Sequence, residues 1–396
     1  MRQSGDSMRI SAKSVGVAAW VAIGVACLIY APMAIEYMSQ YFIPSAPELY
    51  LRSISAVVSL NPDSQVGSLV HHQLPTYINS RWIMLVHTVT AGLALFLGIL
   101  QFSARVRRNW PFVHRLSGRL MLIIVAASMI TALAFLFRTG SAETTSGPPF
   151  FNILLIFAIC VLAAAALAFV AIKERQIRLH QAFMTYMFAM LLTAPIIRII
   201  VITLLLAVSS ESFDADFMIG AALAGPLAVF GAVVVARHFG NRIVELGSSI
   251  VDHPAIPRGA RVAGAIGIVA VILVGAKLVG RVDLPIGAAA VVTVVLLLAC
   301  AALRLRSHAV GDHLAAKDWE ILESAIVATP VACLGLSAIY CLFWPAAVAF
   351  YCAVLASPVV AMSLGYLPFA LLRRKSAGRA PSVGSPLELK GARPSR

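Results

Sequence analysis

The chain contains 396 residues, of which 60% are hydrophobic and 12% are charged, and its mean hydropathy is +0.90. These values exclude an ordinary soluble globular protein. The formal net charge of +14 does not indicate a nucleic-acid partner, because the lysines and arginines cluster in short segments between apolar runs, as they do in membrane proteins.

The apolar residues fall in blocks of roughly 20, the length that an α-helix needs to cross the hydrocarbon core of a bilayer. The alternating pattern of a transmembrane barrel is absent. We therefore predict an all-α, polytopic integral membrane bundle in a lipid bilayer. The first helix belongs to residues 1–35, follows Arg9 and Lys13, and is expected to be retained with its N-terminus in the cytoplasm. Residues 36–81 are expected to form an external loop.

Nine further apolar runs bring the predicted number of transmembrane helices to about ten. Basic residues occupy every second connection, whereas Glu143, Glu211 and Asp283 lie in the intervening ones. This alternation predicts that both termini are cytoplasmic, in a bacterial inner (plasma) membrane. The predicted spans cover residues 82–103, 115–137, 150–172, 180–207, 217–236, 262–280, 284–303, 322–343 and 346–372.

The histidines divide these spans into two regions. Residues 82–207 are predicted to form a four-helix bundle that carries all three span-proximal histidines, and residues 217–372 a five-helix C-terminal membrane region whose spans contain no histidine. The tail over 373–396 is basic and rich in Pro, Ser and Gly, a composition typical of disorder beside an anionic leaflet.

Two of these histidines suggest a cofactor. His114 and His180 open the third and fifth spans from the same side, so they can lie at one depth on helices that run in the same direction. Two neutral imidazoles in that arrangement can hold haem b, with the iron between them. Arg119 follows His114 by about one and a half turns and is a candidate partner for a haem propionate. The small residues beside His114 and His87 permit either a flat macrocycle or close helix–helix contact.

A second polar site is predicted near the outer end of the same bundle. Arg198 lies 18 residues after His180, which is five helical turns at 3.6 residues each and about 27 Å along the axis. This places Arg198 at the level of His87. An arginine inside a membrane usually faces protein or water, so the pair predicts an external pocket for a quinone or a small anion. The alternative is that Arg198 extends to the outer surface.

These residues also carry a family resemblance. His87, the run His114-Arg115-x-x-Gly118-Arg119, the run Leu179-His180-Gln181-x-Phe183-Met184, and Arg198 together resemble a bacterial membrane family known as domain of unknown function 2306, over about residues 81–206. The family implies no particular activity. His114 and His180 are also similar to a ligand pair of the ascorbate-reducible transmembrane cytochromes b, but the fourth span contains no histidine, so at most one such haem is implied.

Three functions remain open from the sequence. The leading one is a haem b-binding redox protein that exchanges electrons with a quinone or another small molecule, with His87 and Arg198 at the substrate and proton site. The second is a cofactor-free, proton-coupled transporter or permease. The third is a non-catalytic subunit of a membrane assembly.

Overall fold

The computed structural model describes residues 12–43, 45–50, 52–53, 75–207, 213–240, 258–279 and 284–372. Thirteen α-helices lie wholly within this part of the chain, together with one 3₁₀ helix, Tyr37–Tyr41. The helices are α1 (Ala12–Glu36), α2 (Arg81–Phe102), α3 (Ala104–Asn109), α4 (Pro111–Glu143), α5 (Gly147–Lys173), α6 (Ile177–Leu191), α7 (Thr193–Ala207), α8 (Phe213–Gly240), α9 (Arg258–Val279), α10 (Leu284–Ala309), α11 (His313–Val327), α12 (Thr329–Tyr340) and α13 (Ala346–Leu371).

The predicted fold class is confirmed. Within the described residues, eight helical segments are long and apolar enough to cross a membrane, and a ninth is present if α11 and α12, which meet at 43°, form one bent span. Helix α9 lies where the seventh of the ten predicted spans was placed. The tail over 373–396 and residues 44, 51 and 54–74 of the loop over 36–81 lie outside the described residues.

The two predicted membrane regions share one hydrophobic core. Helix α8 packs on α6 and α7 of the first region and on α10 and α13 of the second. Two buried hydroxyls join the regions directly: Tyr186 donates to Ser363 Oγ at 2.6 Å, and Tyr366 donates to the main-chain oxygen of Ala182 at 2.7 Å. Residues 217–372 therefore support the bundle from one side.

The predicted fifth span is interrupted within the bundle. Helix α6 ends at Leu191 and α7 begins at Thr193. Pro195 explains the break, because a proline has no N–H to donate and its ring clashes with the carbonyl four residues earlier, here that of Leu191. The sequence predicts a kink at this proline; α6 and α7 nevertheless remain one membrane span, Ile177–Leu204, with Arg198 in its second part.

Candidate functional site

A cavity of about 310 Å³ lies inside one end of the bundle, between α1, α2, α4, α5, α6 and α7. We call this the cavity end; it is the end that contains Glu36, Arg81 and Phe150. Apolar and aromatic side chains form most of its wall, and the polar groups are few. His87 and Arg198 both line it. The structure thus places the two residues of the predicted external pocket around a single space.

The His87 ring is held by α4. Its Nδ1 atom lies 2.9 Å from the main-chain oxygen of Ser128 and 3.2 Å from Ser128 Oγ, and that hydroxyl donates to the main-chain oxygen of His87 at 3.1 Å. A carbonyl oxygen can only accept, so Nδ1 must carry the hydrogen. Nε2 makes no hydrogen bond within the described chain. One ring nitrogen is therefore committed to the protein, and the other remains for a ligand.

Arg198 is a buried cation whose partners among the described residues are neutral, the Tyr50 side chain included. Its Nη1 donates to the main-chain oxygen of Ala194 at 3.0 Å, whereas its Nε is buried without a partner. The guanidinium carbon lies 5.6 Å from the centre of the Tyr30 ring and 5.8 Å from that of Phe217, within cation–π range. No carboxylate of the described residues forms an ion pair with it. Its charge and Nε donor are available to a bound molecule.

Tyrosines form the outer wall of the cavity. The Tyr37 ring meets those of Tyr50 and Tyr77 edge to face, at 5.9 and 6.1 Å between centres, and Tyr77 stacks on Phe135 at 5.5 Å. Burial raises the pKa of Tyr77 to about 12, and it raises the pKa of Tyr50 although the charge of Arg198 opposes that shift. Both phenols are therefore neutral at physiological pH.

Glu36, at the end of α1, positions Tyr50. Its carboxylate accepts the backbone N–H groups of Glu48 and Leu49, each at 3.1 Å, and the Ser39 hydroxyl at 2.9 Å. A carboxylate at the first N–H groups of a helical segment satisfies donors that would otherwise lack partners. Glu36 thus holds the segment that carries Tyr50 beside Arg198.

His114 and His180 lie at the opposite end of the bundle, which we call the packed end and which contains Phe102. Nδ1 of His180 lies 2.9 Å from the main-chain oxygen of Ala168, whereas Nδ1 of His114 is buried without a partner. Both histidines lie near the start of their helices, α4 and α6, at this end of the bundle. The structure therefore places this predicted pair at one end of the bundle, away from His87 and Arg198.

The small residues of the packed end are used for close helix contact. A Cβ added at Gly98 would overlap the ring of Phe188, and one added at Gly118 would lie 3.0 Å from Gln101 Oε1. Gln101 in turn donates to Ser117 Oγ at 2.6 Å. Of the two uses predicted for these stripes, helix–helix contact is the one observed at both glycines.

A haem at this end fits the residues only in part. The carbonyl bond of His180 suits an axial ligand, which normally donates its second ring N–H to an acceptor, but among the described residues Nδ1 of His114 has no such acceptor. Arg119 is exposed and lies about 140° around α4 from His114, so it faces away from the pair. Phe188 and Gln101 already occupy the space next to Gly98 and Gly118, where a flat macrocycle would have to lie.

Two groups of residues were not predicted from the sequence. The tyrosines and Glu36 lie outside the histidine-bearing spans. The occurrence of four tyrosines from residue 37 to residue 77 is the feature of the sequence that could have indicated an aromatic wall. The second group is an ion network in the C-terminal region, where buried Glu323 contacts Arg304 at 2.6 Å and Arg261 at 3.2 Å. These charges satisfy one another and therefore act as structural ties.

Comparison with known proteins supports the family resemblance. Residues 84–238 match the model of a family described as predicted membrane protein (DUF2306). The match contains His87, His114, His180 and Arg198, and it extends through most of α8, whose Phe217 lines the cavity. No curated protein and no solved structure matches the chain. The resemblance to cytochromes b is not tested by this match.

Proposed function

We propose that this chain, which matches the DUF2306 family over residues 84–238, is a membrane protein that binds a small, mostly apolar molecule at the cavity end. Arg198 would hold an oxygen of that molecule, as in a quinone or a small organic anion. The observation that carries the proposal is a guanidinium that lines an apolar cavity and pairs with no carboxylate of the described residues.

Physical considerations favour a ligand there. A buried charge is costly unless it is paired or hydrogen-bonded, and cation–π contacts compensate for only part of that cost. The cavity volume of about 310 Å³ is at the lower end of the range for small-molecule sites, and its wall has their usual character of apolar residues with a few convergent polar groups. An oxygen acceptor next to Arg198 would satisfy the remaining donor.

Binding of two probes to the purified protein tests this proposal. We expect 2-methyl-1,4-naphthoquinone, benzoate or both to bind in calorimetry, and Arg198→Leu to weaken that binding roughly tenfold to a hundredfold, as expected for loss of a charge-assisted hydrogen bond. Arg198→Lys should restore it poorly, because an ammonium lacks the planar fork. Arg306→Leu, at an exposed arginine, is the control. Unchanged affinity in Arg198→Leu would refute the proposal.

A redox role with haem b on His114 and His180 stays a second proposal. It is supported by the position of both rings at the packed end and by the carbonyl bond of His180. Protein purified from haem-replete cells should then show a Soret band that is lost in His114→Ala and in His180→Ala. A colourless protein would exclude haem and leave the proposal for the cavity intact.

Transport is the rival use of the same cavity. Its support is the interrupted helix beside Arg198 and the 43° bend between α11 and α12, because transporters bind substrates at broken helices. Proton-dependent uptake of benzoate into proteoliposomes, lost in Arg198→Leu, would favour transport over binding alone.

The plasma membrane and the cytoplasmic placement of both termini are part of the proposal. They are supported by the basic connections that follow α2 and α5. A reporter fused after Arg108 or Arg175 should be cytoplasmic, and one fused after Ser141 should be external. The cavity would then open toward the outer leaflet.

A further inference from the structure

We infer that the preferred ligand carries a hydroxyl donor together with an oxygen acceptor, as a quinol or another phenol with a carbonyl does, rather than only acceptors, as an oxidised quinone does. The inference rests on the proposed function and specifies the chemistry of the molecule in the cavity. It follows from the different hydrogen-bonding capacities of His87 and Arg198.

The first step is the tautomer of His87. Nδ1 must donate, because the nearest acceptor, 2.9 Å away, is the main-chain oxygen of Ser128. The Ser128 hydroxyl cannot reverse this assignment, since it donates its own hydrogen to the main-chain oxygen of His87. In a neutral imidazole one nitrogen donates and the other accepts. Nε2 is therefore an acceptor whenever the ring is neutral.

The second step is the charge of the ring. Arg198 lines the same cavity as His87, and none of the described residues that line it carries a carboxylate. The other described groups that face the space with polar atoms are threonine hydroxyls and tyrosine phenols. A second cation in this apolar space would lack any compensating charge. The imidazole is accordingly neutral, and its free nitrogen seeks a donor.

The third step is the opposite demand of Arg198. A guanidinium has only donors, and its Nε has no partner. One side of the cavity thus requires an acceptor from the ligand, whereas the other requires a donor. A quinone has only acceptor oxygens. At His87 such an oxygen would face the lone pair of Nε2, and two acceptors cannot form a hydrogen bond with each other. A hydroxylated aromatic molecule satisfies both, and its rings suit the aromatic wall that includes Phe150 and Phe157.

A matched pair of probes tests the inference. Methyl 6-hydroxy-2-naphthoate has a hydroxyl donor and a carbonyl acceptor, and methyl 6-methoxy-2-naphthoate differs only in lacking the donor. We expect the hydroxyl ester to bind the full-length protein about tenfold more tightly or better, since a site that receives a hydroxyl discriminates against the analogue without it. Naphthalene fluorescence reports both dissociation constants.

Two variants locate the effect. In His87→Phe the advantage of the hydroxyl ester should disappear, and His87→Leu serves as an independent replacement if the larger ring disturbs folding. In Arg198→Leu both esters should bind more weakly while the hydroxyl ester keeps its advantage. Equal affinities in the unmodified protein, or an advantage that survives both His87 replacements, would overturn the inference.

The outcomes also separate the two proposals. If both esters weaken in Arg198→Leu but the hydroxyl has no advantage, the ligand cavity stands and the inference fails. If neither ester binds, or neither responds to Arg198→Leu, the proposed function and the inference fail together.

Discussion

The two ends of the bundle are built on the same helices but treat their polar residues differently. Helices α2 and α4 contribute His87 and Ser128 to the cavity end, and Gln101 and His114 to the packed end. At the packed end the Phe188 ring covers Gly98. At the cavity end, small and unbranched side chains such as Ala91 and Met33 leave a space of about 310 Å³.

The two ends differ in whether free space adjoins their polar groups. At the packed end, the amide of Gln101 donates to Ser117 Oγ and to the main-chain oxygen of His114. This amide is therefore hydrogen-bonded within the protein. Nε of Arg198 is left over beside a cavity. A surplus donor next to free volume is what distinguishes the cavity end.

Filling the cavity should have the largest effect on binding. Ala91 lines the cavity, whereas Ala94, three residues later on α2, is completely buried in the core. We expect Ala91→Leu to abolish probe binding with little change in stability, because its side chain enters free volume. Ala94→Leu should instead destabilise the fold by about 1–3 kcal/mol through overpacking. Calorimetry and thermal unfolding measure both; retained binding in Ala91→Leu would contradict the assignment of the site.

Gly98 tests the packed end. Gly98→Ala should lower the free energy of unfolding by about 1–3 kcal/mol, since its methyl group would overlap the Phe188 ring. Gly24→Ala on α1 is the matched control: nothing lies within 4 Å of an added Cβ there, and alanine is the better helix former by about 1 kcal/mol. Equal stability of the two variants would contradict the close packing of Phe188 on Gly98.

Glu36 should have a smaller, indirect effect on the cavity end. Glu36→Gln retains the shape of the side chain but removes the charge that accepts the N–H groups of Glu48 and Leu49. Bonds to a charged acceptor are about twice as strong as neutral ones, so Tyr50 should be held less firmly and probe affinity should fall about threefold. Glu143→Gln, at an exposed carboxylate, should leave the affinity unchanged.

Replacing Tyr77 should change the stability of the protein only at alkaline pH. Its pKa is raised to about 12 by burial, compared with about 10 for an exposed tyrosine. The folded state therefore holds this proton more tightly than the unfolded state does, and the resulting stability is complete below pH 10 and is lost as the pH rises toward 12. Tyr77→Phe should remove that part of the alkaline loss. Identical slopes of stability against pH above 10 would contradict the burial of this phenol.

Much of the architecture could be read from hydropathy alone. Each predicted span corresponds to helix in the described residues, because only a helix satisfies its own backbone in hydrocarbon. Pro195 likewise predicted a kink, and the family match followed from local runs around His87, His114 and His180. These features depend on composition over one or two helical turns, so they need no knowledge of neighbouring helices.

The character of each site was decided only by the tertiary structure. From the sequence, the small residues beside His87 and those beside His114 permit the same two uses. In the structure, Phe188 and Gln101, which lie on other helices, cover Gly98 and Gly118. The neighbours of Arg198 come from α1, α8 and the segment held by Glu36. Sequence periodicity determines which residues share a face of one helix, but whether that face meets a side chain, a partner charge or free volume depends on how several helices pack together.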